Sequence, residues 1–190
     1  MGSVENLKNL REQRHQFYLL VYTQTDAEAN QYVCGGGLDL GLNEFGIEEA
    51  RKFSRRFKKN PLKIKRIISS PELRAIQMAD ILHDEMKGKI SLAREFSDQF
   101  LGEYEGKPIT AEMDMDAPPR GETSEQFSVR VRKGLERILQ ESDSCVVVIH
   151  SRVARKIFQW IGLGAEKIMP ATLYAIDLPA GTGIAHFREV

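Results

Sequence analysis

The sequence is poor in the residues that mark special chemistry or special compartments. Of its 190 residues only two are cysteine, four histidine and one tryptophan. Cys34 and Cys145 make neither a disulfide framework nor a metal-spaced pair, so a reducing, cytoplasmic compartment is predicted. His15, His83, His150 and His186 have no metal-like spacing, and neither metal nor cofactor is expected. An excess of one charge is also missing. The 27 basic and 27 acidic residues cancel, which removes any bulk attraction to nucleic acid or to an anionic membrane. No apolar run approaches the roughly 20 residues of a membrane span. Residues 1–16 lack the apolar stretch of a signal peptide. Position 6 is Asn, where a myristoylation site carries Ser or Thr. Neither a nucleic acid nor a membrane is therefore an expected partner.

Apolar residue is present in plenty. At 42% hydrophobic the chain can fill a core, which excludes disorder as its main state. At about 150 residues per domain, the length predicts a charged lead-in over residues 1–16 and one domain over 17–190.

Strand-like and helix-like segments alternate along the chain. Phe17–Tyr22 is a continuous apolar run and reads as a buried strand. Residues 23–43, with Gly35-Gly36-Gly37, read as a long loop of the kind that carries function. Asn43 is a candidate N-cap for a helix of about 15 residues, with Ile47, Ala50, Phe53 and Phe57 on one face, ended by Asn60-Pro61. Ile64–Ile68 is a second strand. Ser70 is a candidate cap for a helix from Pro71 to Met86. Ile90–Leu92 reads as a short strand and the remainder of 90–123 as an insertion. A helix is predicted over Ser124–Glu141, a central strand over Ser144–Ile149 and a helix over Ser151–Leu163. Two last strands, Thr172–Leu178 and Ile184–Phe187, flank the turn Pro179–Gly183. This order predicts an α/β fold: a three-layer sandwich, its mostly parallel sheet covered by helices on both faces.

In such sheets ligands sit beyond the carboxyl ends of the strands. Three of those ends are polar: Tyr22-Thr23-Gln24-Thr25, Ser69-Ser70 followed by Arg74, and His150-Ser151-Arg152. His150 stands at a strand-to-helix junction, where free backbone N–H groups and the helix dipole favour an anion. Arg74 falls in the first turn of a helix, a position the dipole disfavours for a cation and a bound phosphate would explain. Cys34 beside three glycines is a weaker candidate, because the Cys-x5-Arg loop of cysteine phosphatases is absent.

The chain resembles the histidine phosphatase superfamily, with its phosphoglycerate-mutase-like fold, over about residues 17–163. Ser69-Ser70-Pro71-Glu72-Leu73-Arg74-Ala75-Ile76-Gln77-Met78-Ala79 is similar to the family's Ser-Ser-Pro-x-x-Arg-Ala-x-Gln-Thr-Ala segment. Gly102-Glu103-Tyr104-Glu105-Gly106 resembles its Gly-x-Trp-Glu-Gly turn. Gly121-Glu122-Thr123 resembles its Gly-Glu-Ser stretch, and Val147–Ser151 the strand ending in the second catalytic histidine. Asp39–Gly46 is similar to its Asp-x-Pro-Leu-Thr-x-x-Gly segment. Five pieces in the right order make the resemblance specific.

It implies a phosphate pocket of which Arg74, His150 and Ser151 remain, with Asp98 at the general-acid position. The nucleophile motif departs. Where the family carries Arg-His-Gly, this chain reads Val21-Tyr22-Thr23, and a further family arginine falls near Val33. Imidazole attacks phosphorus at neutral pH because its pKa is about 6.5; a phenol, at about 10, is almost wholly protonated. The cationic charge that phosphoryl transfer needs has fallen as well. Loss of a nucleophile costs about a millionfold in a protease. The resemblance therefore implies a catalytically inactive or severely impaired member. Its expected partners are a phosphorylated small molecule, a phosphate anion or a protein. The alternatives are an active phosphomonoesterase working through His150 and Asp98, and a structural interaction scaffold.

Overall fold

The computed structural model describes residues 15–58, 62–141, 144–164, 168–180 and 185–190. The predicted helix stop at Asn60-Pro61, residues 1–14 of the lead-in and most of the Pro179–Gly183 turn lie outside these residues. His15 and Gln16, expected in the lead-in, already belong to the first strand.

The strands are β1 (His15–Val21), β2 (Arg66–Ser69), β3 (Lys89–Leu92), β4 (Cys145–Ile149), β5 (Leu173–Leu178) and β6 (His186–Glu189). They form one sheet in the order β3-β2-β4-β1-β5-β6. The β3–β2, β2–β4 and β4–β1 pairs are parallel, while β1–β5 and β5–β6 are antiparallel. β4 is buried at all five positions, as expected of a central strand covered on both faces. Tyr18 pairs with Val146 and Val21 with Ile149, so β1 and β4 end side by side.

The helices are α1 (Asp26–Ala29), α2 (Glu44–Arg55), α3 (Leu73–Met86), α4 (Ser124–Gln140) and α5 (Ser151–Ile161). Because side chains alternate across a strand, β1, β2, β4 and β5 each feed two cores. Leu20, Tyr22, Ile67, Val146 and Val148 pack under α2 and α3, against Ala50, Phe53, Met78 and Leu82. Leu19, Val21, Val147 and Ile149 pack on the other face under α4 and α5, against Val131, Leu135, Ile157 and Phe158. The result is the expected three-layer α/β sandwich, its mostly parallel sheet covered on both faces.

Capping explains where the helices start. Asn43 caps α2 by accepting from Gly46 N at 2.8 Å. Thr123 and Gln126 form a capping box on α4. Two expectations are corrected. The long loop after β1 contains the short helix α1, begun by a capping box of Thr25 and Glu28. Ser70 does not cap α3, which starts at Leu73; its first-turn amide, Leu73 N, donates instead to Asp39 Oδ1 at 2.7 Å. That cap comes from a loop 34 residues away, so no local pattern announces it.

Candidate functional site

The ends of β1, β2 and β4 bring Tyr22, Ser70 and His150 to one edge of the sheet, and α3 adds Arg74. All four are buried, Arg74 completely. Tyr22 and His150 meet edge to face, with ring centroids 5.2 Å apart. The Arg74 guanidinium lies 5.6 Å from the centre of the Tyr22 ring. Arg74 and His150 converge on one acid: Asp98 Oδ2 is 3.7 Å from Arg74 Nη2 and 3.6 Å from His150 Nδ1.

Most donors and acceptors of these groups are engaged within the site, while the buried Arg74 Nε and His150 Nδ1 make no hydrogen bond among the described residues. Arg74 donates through Nη1 to the Leu38 carbonyl at 3.1 Å and through Nη2 to the Gly35 carbonyl at 3.0 Å. It thereby ties the glycine-rich loop to α3. Gly35 is required there, because a Cβ would lie 2.3 Å from the Gln99 carbonyl. The same loop is held from the other side by Glu105, which accepts from Gly35 N, Gly37 N and Leu101 N at 2.8, 3.1 and 3.0 Å. His150 Nε2 lies 2.8 Å from Ser70 Oγ and 3.1 Å from Glu72 Oε2, and Ser70 Oγ also donates to Glu72. Burial works to raise the Glu72 pKa. The hydrogen bond and charge of His150 and the Ser70 hydroxyl overcome it and bring the value from 4.5 down to about 2.

Tyr22 is placed against nucleophilic use. Its hydroxyl donates to Glu28 Oε1 at 3.0 Å. Burial first, then the Glu28 carboxylate, push the phenol well above its ordinary pKa of 10.0; Arg74 opposes them without prevailing. Val21 and Val33 are each 1% exposed, and Val21 packs in the core under α4 and α5.

Asp98 faces two arginines and His150. Its Oδ2 accepts from Arg152 Nη1 at 3.0 Å, and its Oδ1 accepts from Gln99 N at 2.9 Å. Arg152 also donates to the Cys34 carbonyl at 3.0 Å, a role that its place in the polar end His150-Ser151-Arg152 did not reveal. Glu28, Glu72 and Glu105 were likewise missed as site residues, although Glu72 and Glu105 sit inside the quoted motifs. Arg130 positions the Asp98 segment from α4. It donates to the carbonyls of Arg94, Glu95, Ser97 and Asp98 and pairs with both carboxylate oxygens of Glu122.

Above Tyr22 opens a cleft of about 270 Å³, lined by Tyr22, Glu28, Tyr32, Cys34, Asp98, Ser151, Arg152 and Arg155 among others. Arg74 and His150, both buried, do not line it. Ser151, at the start of α5, does line it.

Residues 17–178 match the histidine phosphatase superfamily (branch 1). The chain belongs to the histidine phosphatase superfamily. Among relatives, it is 26% identical over 160 residues to an uncharacterized phosphatase, PhoE, of Bacillus subtilis (strain 168), covering 82% of this chain and 81% of that one. It is 29% identical over 160 residues to agropine synthesis reductase of Rhizobium rhizogenes. That match takes in 80% of this chain but only 36% of the reductase, so this superfamily member spans about a third of that protein. Its fold is that of phosphoglycerate mutase from Thermus thermophilus, with a TM-score of 0.72 at 22% identity over 93% of this chain and 96% of the mutase. Among the described residues no helix is long and apolar enough to cross a membrane.

Proposed function

We propose that this superfamily member is a pseudoenzyme: it performs no phosphohistidine chemistry and serves a binding or regulatory role through an anion site. One observation carries the reading. Tyr22, which we assign to the nucleophile position, is buried, with its hydroxyl spent on Glu28 and its ring packed edge to face with His150 and 5.6 Å from the Arg74 guanidinium. A phenol pushed above its ordinary pKa and facing a carboxylate is a poor nucleophile. Arg74 gives two of its N–H groups to backbone carbonyls, which keeps it folded into the loop rather than presented to a phosphate. The unpaired thiols Cys34 and Cys145 support a cytoplasmic setting. The ligand class we favour is a phosphate ester or related anion, and a protein partner remains part of the proposal.

The test is turnover. Purified protein is expected to hydrolyse para-nitrophenyl phosphate and 3-phosphoglycerate at background rate, and to carry no phosphoryl group after incubation with them. A turnover number above about 1 per second that His150→Ala abolishes would overturn the reading in favour of an active phosphomonoesterase.

A further inference from the structure

We infer that the cleft above Tyr22 binds a small organic anion, its charged group held by Arg152 and Arg155 and its apolar body lying against Tyr32 and Ile109. This places the ligand outside the buried Arg74–His150 pair, and it rests on the reading that the inner site does no phosphoryl transfer. Arg152 and Arg155 project from the first two turns of α5 and both line the cleft. Arg152 Nη1 is spent on Asp98 and the Cys34 carbonyl, and its Nε and Nη2 have no partner among the described residues. Arg155 is exposed and pairs with no acid among the described residues. The two acids of the cleft are already engaged. Glu28 accepts from the Tyr22 hydroxyl and from Thr25 N at 2.8 Å, and Asp98 faces Arg152, Arg74 and His150. Unspent cationic donors therefore face the cleft, where Arg152 and Arg74 balance the Asp98 charge and neutral donors hold Glu28 at the Tyr22 end.

Tyr32 and Ile109 give the cleft exposed apolar surface. Tyr32 is 42% exposed and Ile109 55% exposed, both at the mouth of the cleft. The Tyr32 backbone is fixed by a bridge to Pro108, and Ile109 N donates to the Gln31 carbonyl at 2.9 Å, so the two side chains sit on one rigid ledge. A guanidinium pair and an apolar ledge in one cleft match an aromatic or short aliphatic body carrying one anionic group. A cleft of about 270 Å³ suits a molecule of that size.

The experiment is calorimetric titration with phenyl phosphate and with benzoate, using phenol and inorganic phosphate as controls and following phosphate release on the same samples. One or both aromatic anions are expected to bind more tightly than either control, and their ranking distinguishes a phosphate from a carboxylate head group. Arg155→Gln, which breaks no ion pair, is expected to weaken binding by about tenfold. Tyr32→Ala, or Ile109→Glu where the former folds poorly, is expected to weaken the aromatic anions and leave inorganic phosphate unchanged. Binding of neither aromatic anion overturns the inference. So does binding that survives Arg155→Gln but is lost in Arg74→Gln of demonstrated fold. In both cases absence of phosphate release leaves the pseudoenzyme reading intact, whereas steady release of phosphate overturns that reading instead.

Discussion

The Tyr22 hydroxyl donates to Glu28 Oε1 at 3.0 Å, and this single bond joins the end of β1 to the first turn of α1. Glu28 is also the N3 residue of the capping box that starts α1. The acid that starts the helix thus also fixes the phenol, whose ring meets His150 edge to face and lies 5.6 Å from the Arg74 guanidinium. Local helix chemistry and the state of the site are settled by one carboxylate.

Reconstruction tests whether the scaffold still suits phosphoryl transfer. Tyr22→His restores a nucleophile largely neutral at pH 7, and Val21→Arg restores an always-charged phosphate ligand. Attack and charge stabilisation act in one transition state, so their effects are non-additive. The double variant is expected to form an acid-labile phosphoenzyme with a reactive phosphoryl donor, while each single variant forms little. Val21 is 1% exposed, so Arg there costs stability until an anion binds; circular dichroism must first show a fold. Absence of phosphohistidine in the mass spectrum of a folded double variant would mean that Glu72 and Ser70 have reshaped the pocket beyond repair at two positions.

Glu72 makes stability depend on pH. Its folded pKa of about 2 lies below the ordinary 4.5, so its contribution is complete above pH 4.5 and is lost as pH falls towards 2. Glu72→Gln is expected to lower stability at neutral pH by about 1–3 kcal/mol, the cost of a disrupted buried polar cluster. It should also flatten the loss of stability across that acid window. Urea unfolding at stepped pH reads both effects, and a variant whose profile keeps the parent slope would refute the assignment.

Glu105 gathers three backbone N–H groups. Glu105→Ala leaves Gly35 N, Gly37 N and Leu101 N without their acceptor and is expected to cost about 2–4 kcal/mol. Hydrogen exchange should quicken at those amides well before β4 is affected. Uniform protection changes across the sheet would instead point to a global role.

The thiols should be slow. Burial raises Cys34 from 9.0 to about 11, with Arg74 opposing and Asp98 and Glu105 adding to the rise. At neutral pH its thiolate fraction falls by about a hundredfold relative to an unperturbed cysteine. A disulfide reagent is expected to label Cys34 correspondingly slowly, and Cys145, buried and also raised to about 11, only on unfolding. Rapid labelling of native Cys34 at pH 7 would contradict this environment.

The sequence by itself determined the sheet and its covering helices. These are local properties. The run Cys145–Ile149 excludes water on both faces, the 3.6-residue stripe of Ile47, Ala50 and Phe53 needs a core, and Asn43 caps with its own side chain. The convergence of Arg74, His150 and Tyr22 was also legible, because parallel strands bring their carboxyl ends to one edge. What only the tertiary structure decided is how those groups are spent. Arg74 donates to carbonyls 36 and 39 residues away, His150 meets Glu72 across 78 residues, and Arg152 reaches the Cys34 carbonyl across 118. No periodicity carries such pairings. They arise because a buried charge must find partners among whatever the fold sets beside it, and the chain order does not say which neighbours those are.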